Sequence, residues 1–463
     1  MAFYGRGAEL GKLDEMYRSG AFEFAVIYGR RRVGKTSLIR EFIKGRRAVF
    51  FTANESTAAD NLLSLSRCIG GKSAAPVFGD YEGALSAVFE LAATERVVFV
   101  IDEFPYLAES YRGISSLLQV MIDRHRETSK LMLILCGSSM SFMENQVLGA
   151  KSPLYGRRTA QFKVRPFTFF EALPFLTAFS PADKAVLYGM TGGVPEYLSK
   201  INARKSVRGN AIDAFFSTSG YFFEEPSNLI KQELREPSTY NIIIESIAYG
   251  ASRLNEIATK SGLEGNKCAK YLNSLIMLGL AAKEYPFGEM GGRRSIYRLE
   301  DLMFRFWYRF VFPNMSAVAA GLGDQVYDND VKGQYSVYMG LVFEEICKQW
   351  LITQARKGKL PFFVNNIGRW WGTNPTTHTQ EEIDIMAARE SDALFAECKW
   401  KNTVGTDILR DLIRKSEMFG YNNAHLYIFA KDAFTNELRV AADKHGHTKL
   451  LILREMIEDA AQL

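Results

Sequence analysis

Residues Gly29-Arg30-Arg31-Arg32-Val33-Gly34-Lys35-Thr36 satisfy GxxxxGK[ST], and this spacing constrains the chain more than any other feature. The motif follows an apolar run, 22–28, and opens an amphipathic stretch, 37–44, so it sits where a strand turns into a helix. Glycines there let the backbone wrap tightly, and successive N–H groups at the helix start point at phosphate oxygens. Lys35 adds a point charge at the β- and γ-phosphates, and the Thr36 hydroxyl is placed to ligate Mg²⁺. A second run, Val97-Val98-Phe99-Val100-Ile101-Asp102-Glu103, is a buried strand ending in two carboxylates. Unpaired carboxylates in that position are costly unless they have work to do. Asp102 is expected to hold the Mg²⁺ shell and Glu103 to polarise the attacking water.

The runs 22–28, 48–52, 97–101, 131–136 and 159–164 are short and rich in Val, Ile and Phe, with helix-length segments between them. That alternation predicts an α/β fold, a parallel sheet with helices on both faces. The third motif strand runs into Gly137-Ser138-Ser139, and Ser138 is the expected polar sensor of the γ-phosphate. The nucleotide-binding set is therefore Gly29, Val33, Gly34, Lys35, Thr36, Ser37, Asp102 and Ser138. Arg157 and Arg158, just before the fifth strand, complete it: either would reach a neighbouring subunit's γ-phosphate or simply form a basic loop. Arg30, Arg31 and Arg32 are expected to point outward as solvated or nucleic-acid-facing charge.

These residues resemble the prokaryotic AAA-type P-loop ATPases of the archaeal ATPase family, relatives of signal-transduction ATPases, over about residues 1–215. The resemblance also covers Phe3-Tyr4-Gly5-Arg6 with Glu9-Leu10, expected near the adenine, and Gly192-Gly193-Val194-Pro195 in a helical lid. It implies ATP and Mg²⁺ as cofactors and a homo-oligomer completed by an arginine finger. No lid arginine near 192–200 matches the second sensor of ordinary AAA+ motors, which keeps a slow switch in view.

At 463 residues the chain is too long for one ordinary core. Its boundaries are read as an ATPase core at 1–165, a helical lid at 166–220 and a connector at 217–237. A winged helix at 238–300, an aromatic helical connector at 301–333 and an end domain at 334–463 follow. The middle segment reads as three helices and a hairpin, with Lys267 and Lys270 early on the second helix of a helix–turn–helix, and Arg293 and Arg294 at the wing. That placement suits phosphates of double-stranded DNA, although such modules also serve as spacers. A net charge of +5 is too mild for a general polyanion binder, so DNA contact rests on such local patches.

In the end domain, Glu382-Ile383-Asp384-Ile385 and Ala396-Glu397-Cys398-Lys399-Trp400 alternate polar and apolar residues around the polar turn 389–392. Strand side chains alternate faces, so a hairpin would gather Asp384, Glu397 and Lys399 while Ile383 and Ile385 enter the core. Two carboxylates beside a lysine suit Mg²⁺-assisted phosphodiester hydrolysis, with Glu344 from an upstream helix completing the metal set of Asp384, Glu397 and Glu344. This end domain resembles the PD-(D/E)XK restriction-endonuclease-like fold, lacking the customary proline before Asp384. The implied function is an ATPase coupled to a Mg²⁺-dependent DNA nuclease. The alternative is an ATP-gated DNA- or protein-binding switch whose end domain is an inactive scaffold. No apolar run reaches membrane-spanning length, and 5 scattered cysteines without a CxxC pair fit a reduced, cytoplasmic chain without structural zinc.

Overall fold

The computed structural model describes residues 3–70, 77–292, 294–375 and 377–461, so Arg293 lies outside the described residues. The chain divides into two compact units, Met1–Pro166 with Val194–Glu196, and Phe167–Gly193 with Tyr197–Leu463.

In the first unit, β1 (Glu23–Tyr28), β2 (Ala48–Thr52), β3 (Val97–Asp102), β4 (Leu131–Gly137) and β5 (Ala160–Lys163) form one sheet, ordered β2-β3-β4-β1-β5. Every pairing in it is parallel. β3 and β4 are buried along their whole length, which is why they read as continuous apolar runs instead of alternating ones. Alternate residues nonetheless divide between two cores. Phe24, Val26, Phe99 and Leu133 pack in one, while Ala25, Ile27, Val100 and Ile134 pack in the other. Helices therefore cover both faces, as expected from the spacing of the runs.

The second unit begins with short helices, among them Pro181–Thr191 and Val207–Phe215. The expected connector at 217–237 instead contains a helix, Glu225–Glu233. Pro226 and Pro237 within it occupy first-turn positions of helices, where the missing N–H costs nothing. Helices Pro237–Ala248, Leu254–Ser261 and Gly265–Met277 precede an antiparallel hairpin of β6 (Ala281–Glu284) and β7 (Ile296–Leu299). Gly262 ends the middle helix in the left-handed conformation (φ 65°), which suits a residue without Cβ. The aromatic block is helical and buried, with Phe304, Phe306, Trp307, Tyr308 and Phe310 all sequestered.

A 22-residue helix, Tyr335–Arg356, then leads to a mixed sheet. Its strands are β8 (Gly368–Thr373), β9 (Gln380–Arg389), β10 (Asp392–Lys399), β12 (Asn423–Ala430) and β14 (Thr448–Ile452), ordered β14-β12-β10-β9-β8. Two short strands, β11 (Thr403–Val404) and β13 (Ala433–Phe434), pair beside it. β10 is antiparallel to β9 and parallel to β12. Trp350 of the long helix meets Phe429 edge-on at 5.8 Å, so this helix covers one face of the sheet. No described helix is long and apolar enough to cross a membrane.

Candidate functional site

The phosphate loop turns at Gly34, whose φ of 90° and ψ of 23° place it in the left-handed region that glycine adopts without penalty. The helix Lys35–Phe42 starts there, and its first internal bond is Leu38 N–H to the Gly34 carbonyl at 2.9 Å. The amides of Lys35, Thr36 and Ser37 precede that bond, and a helix N-terminus presents such amides to anions. Lys35 is buried, and its Nζ donates to the Arg30 carbonyl at 3.0 Å, which keeps the ammonium against the loop. Val33 is fully buried beneath it.

The Thr36 hydroxyl donates to Asp102 Oδ2 at 2.9 Å. A hydroxyl and a carboxylate this close are hard oxygen donors of the kind Mg²⁺ takes, so the residues fit the cation expected here. Glu103 stands next in the chain with φ 51°, in the left-handed region although it carries a Cβ. Its Oε2 accepts from both the amide (3.1 Å) and the hydroxyl (2.8 Å) of Ser138. The ends of β3 and β4 thus bring Asp102, Glu103 and Ser138 to one place beside the loop.

Two features were not foreseen from sequence. Arg6 is buried, and its guanidinium donates to the carbonyls of Val33 (3.1 Å) and Arg165 (2.5 Å) while pairing with Glu9. It braces the phosphate loop from behind. The arginines inside the loop also do not all face outward: Arg30 is buried, and Arg31 donates to the hydroxyl of the partly buried Tyr106 at 3.0 Å, a partner that the run of three charges concealed. Arg157 forms a two-pronged pair with Asp123, at 2.7 and 2.6 Å. Arg158 makes no hydrogen bond or ion pair with the described residues, which leaves it the more available of the two.

In the second unit, the β9–β10 register ends with Ile385 paired to Ala396, immediately before Asp384 on one strand and Glu397 on the other. A register shift between β8 and β9 lies at this point, and Ile383 and Met386, three residues apart, share one core cluster. The bulge breaks the simple alternation expected for Glu382 through Ile385. Asp384 Oδ2 accepts the Cys398 amide at 2.8 Å, a side chain standing in the ladder. Glu397 is 6% exposed, with Oε1 accepting from Lys399 Nζ at 2.5 Å and Oε2 at 3.7 Å from Lys415 Nζ.

Burial, reinforced by Glu397, lifts the Asp384 carboxyl to about 6 against the opposing Lys399. Burial, then Asp384, raises Glu344 to about 8. Burial works against the Lys399 ammonium, yet Glu397 and Asp384 outweigh it and raise its pKa above the ordinary lysine value. Among the described residues no three His, Cys, Asp or Glu side chains form a metal-sized group. The expected trio of Glu344, Asp384 and Glu397 is therefore not drawn together: Glu397 is held toward two lysines and Asp384 toward a backbone amide.

Lys267 and Lys270 are exposed on the helix Gly265–Met277. The wing loop behaves differently from expectation. The Arg294 guanidinium pairs with Glu289, and Trp371 Nε1 of β8 donates to the Arg294 carbonyl at 3.2 Å. Phe287 N–H also donates to the Arg369 carbonyl at 2.8 Å, so the wing leans on the edge strand of the mixed sheet.

Residues 3–201 match a family described as an ATPase domain predominantly from Archaea. An uncharacterised protein of Methanocaldococcus jannaschii is 35% identical over 432 residues, which cover 92% of this chain and 94% of that protein. The chain belongs to this protein's family, and its first unit is an ATPase. Residues 307–411 match a second family, of archaeal and bacterial proteins of unknown function, and that span includes Glu344, Asp384, Glu397 and Lys399. Among solved structures, a Walker-type ATPase of Pyrococcus abyssi is similar in fold at a TM-score of 0.50 and 18% identity, over 66% of this chain and 96% of that one. The Orc1 protein of Aeropyrum pernix, solved in complex with DNA, aligns at a TM-score of 0.35 and 16% identity over 69% and 95%. The ATPase expected from the phosphate loop is thus the ATPase that the family match gives.

Proposed function

We propose that this ATPase controls a restriction-endonuclease-like domain, 334–463, that cuts double-stranded DNA with Mg²⁺. In this reading Lys35, Thr36 and the helix amides hold the ATP phosphates, with Gly29, Val33, Gly34 and Ser37 shaping the loop. Thr36 and Asp102 hold Mg²⁺, which supplies charge neutralisation at the phosphates when bound. Glu103 orients water, and Ser138 reports the γ-phosphate. Residues 166–220 act as the lid, 238–300 as a winged helix that meets DNA through Lys267 and Lys270, and 301–333 as the link. Arg158 reaches a second copy of the chain.

The observation that carries the nuclease reading is the juxtaposition of Asp384, Glu397 and Lys399 at a bulged strand end. Asp384 and Glu397 would hold the cation there, and Lys399 would steady the developing charge on the phosphodiester. The deciding experiment incubates linear and supercoiled DNA with the protein and Mg²⁺ or Mn²⁺, with and without ATP, beside Lys399→Ala. Cleavage absent from Lys399→Ala supports the reading. No cleavage under any condition sinks it.

One observation favours a second reading, a non-cleaving, ATP-gated DNA- or protein-binding switch. Glu397 is already paired with Lys399 and approached by Lys415, an arrangement that also suits an inert structural ion pair. Nucleotide retention without DNA cleavage is the outcome that selects it.

A further inference from the structure

The second unit contains a cavity of about 710 Å³ lined by residues 247–253, the strand β7, the aromatic helical block, the long helix and the edge of the mixed sheet. Its volume falls in the range of small-molecule and cofactor sites. Five arginines line it, Arg253, Arg298, Arg305, Arg309 and Arg369, against two carboxylates, Glu381 and Glu382. Both carboxylates are already engaged, Glu381 by Arg414 and Glu382 by Arg369. Arg298 is likewise engaged, by Glu284 and Glu345.

Arg305 differs from these. Its guanidinium makes no hydrogen bond or ion pair among the described residues and lies over the Tyr338 ring, 5.5 Å away. Burial depresses its pKa and Arg298 and Arg369 press in the same direction as like charges, with Tyr338 and Glu344 opposing them only in part. Arg369 adds a buried Nε with no hydrogen-bond partner. A partly desolvated cation beside two like charges is costly unless an anion joins it. The aromatic residues Tyr249, Tyr297 and Trp371 also line the cavity. Arginines that bind phosphate beside rings that stack bases are the paired requirement of nucleotide recognition.

We propose that this cavity is a second nucleotide-phosphate site, distinct from the phosphate loop, in which Arg305 and Arg369 seat a phosphate ester and the aromatic wall receives its base. The phosphate belongs either to a nucleic-acid strand or to a free nucleotide. The site does not depend on hydrolysis at Asp384, so Asp384→Asn should abolish cleavage and leave this binding in place.

The test uses the full chain. One arm follows a fluorescent single-stranded oligonucleotide by anisotropy with ADP saturating; the other counts ADP bound per chain by equilibrium dialysis. Arg305→Gln should weaken the oligonucleotide about tenfold if a strand is the ligand, the loss expected for a charge-assisted bond. It should instead remove one of two bound ADP if a free nucleotide is. Arg305→Lys keeps the cation, guards against misfolding, and should recover most of the binding. The proposal is overturned if Arg305→Gln keeps oligonucleotide affinity within about twofold and wild type binds a single ADP. It is also overturned if Arg305→Lys is as impaired as Arg305→Gln.

Discussion

Glu344 and Glu103 are carboxylates whose surroundings give each a distinct measurable signature. Glu344 is raised to about 8 by burial and then by Asp384. An unfolded glutamate ionises near pH ~4, so between there and about 8 the folded chain holds a proton that the unfolded chain has released. Folding stability then falls as pH rises through that window, and is flat above it. Glu344→Gln should leave Tm unchanged at pH 4 and raise it by several degrees at pH 8.5, read by calorimetry in metal-free buffer. A shift of equal size at both pH values would show that the carboxyl does not titrate as its surroundings dictate. Glu103 is fixed by two hydrogen bonds from Ser138, and glutamine can still accept them. Glu103→Gln should therefore keep ATP affinity while hydrolysis falls about a hundredfold or more, the contribution of a positioned general base. Retained turnover would move the water-activating role elsewhere.

At the scale of elements, the sheet of the first unit was legible because its strands are continuous apolar runs bounded by helix-length segments. The motif positions fixed where the chemistry gathers. Legibility failed where tertiary context decides. Pro226 and Pro237 look like parts of a connector until the helices they begin are known. The bulge near Asp384 depends on pairing with β8, whose Trp370-Trp371 core carries no alternation to reveal it. Arg6 gave no local sign that it would grip Val33, which lies 27 positions away. The start of the helix Lys35–Phe42 supplies the prediction at this scale. A Cβ on Gly34 would approach only Pro195 Cγ, at an ordinary 3.7 Å, so crowding is not the obstacle. The obstacle is its φ of 90°, and an L-residue there costs about 1–2 kcal/mol. Gly34→Ala should lower Tm by a few degrees and ATP affinity by more than tenfold. A variant with wild-type affinity in direct titration would show that the loop amides do not need that turn.

Over the whole molecule, the proposed control of the second unit by the ATPase needs a physical link between the two compact units. The chain passes between the units at three places, 166–167, 193–194 and 196–197. Val194–Glu196 therefore belongs to the ATPase unit although the chain on both sides of it belongs to the other. Pro195 of this short segment lies beside Gly34, at the loop that meets the phosphates. On the proposed coupling, a rearrangement of the loop at Gly34 shifts Pro195 and so pulls on chain whose two ends run into the second unit. Proline makes the segment stiff, because its ring fixes φ, and stiffness is what transmits a small shift. Pro195→Gly should therefore hydrolyse ATP within about threefold of wild type while DNA cleavage or binding by the second unit loses its response to ATP. Lys35→Ala should lose both, and Lys399→Ala only the cleavage. If Pro195→Gly retains the full ATP response, the coupling runs through another crossing, and the same measurement with substitutions at 166–167 decides which.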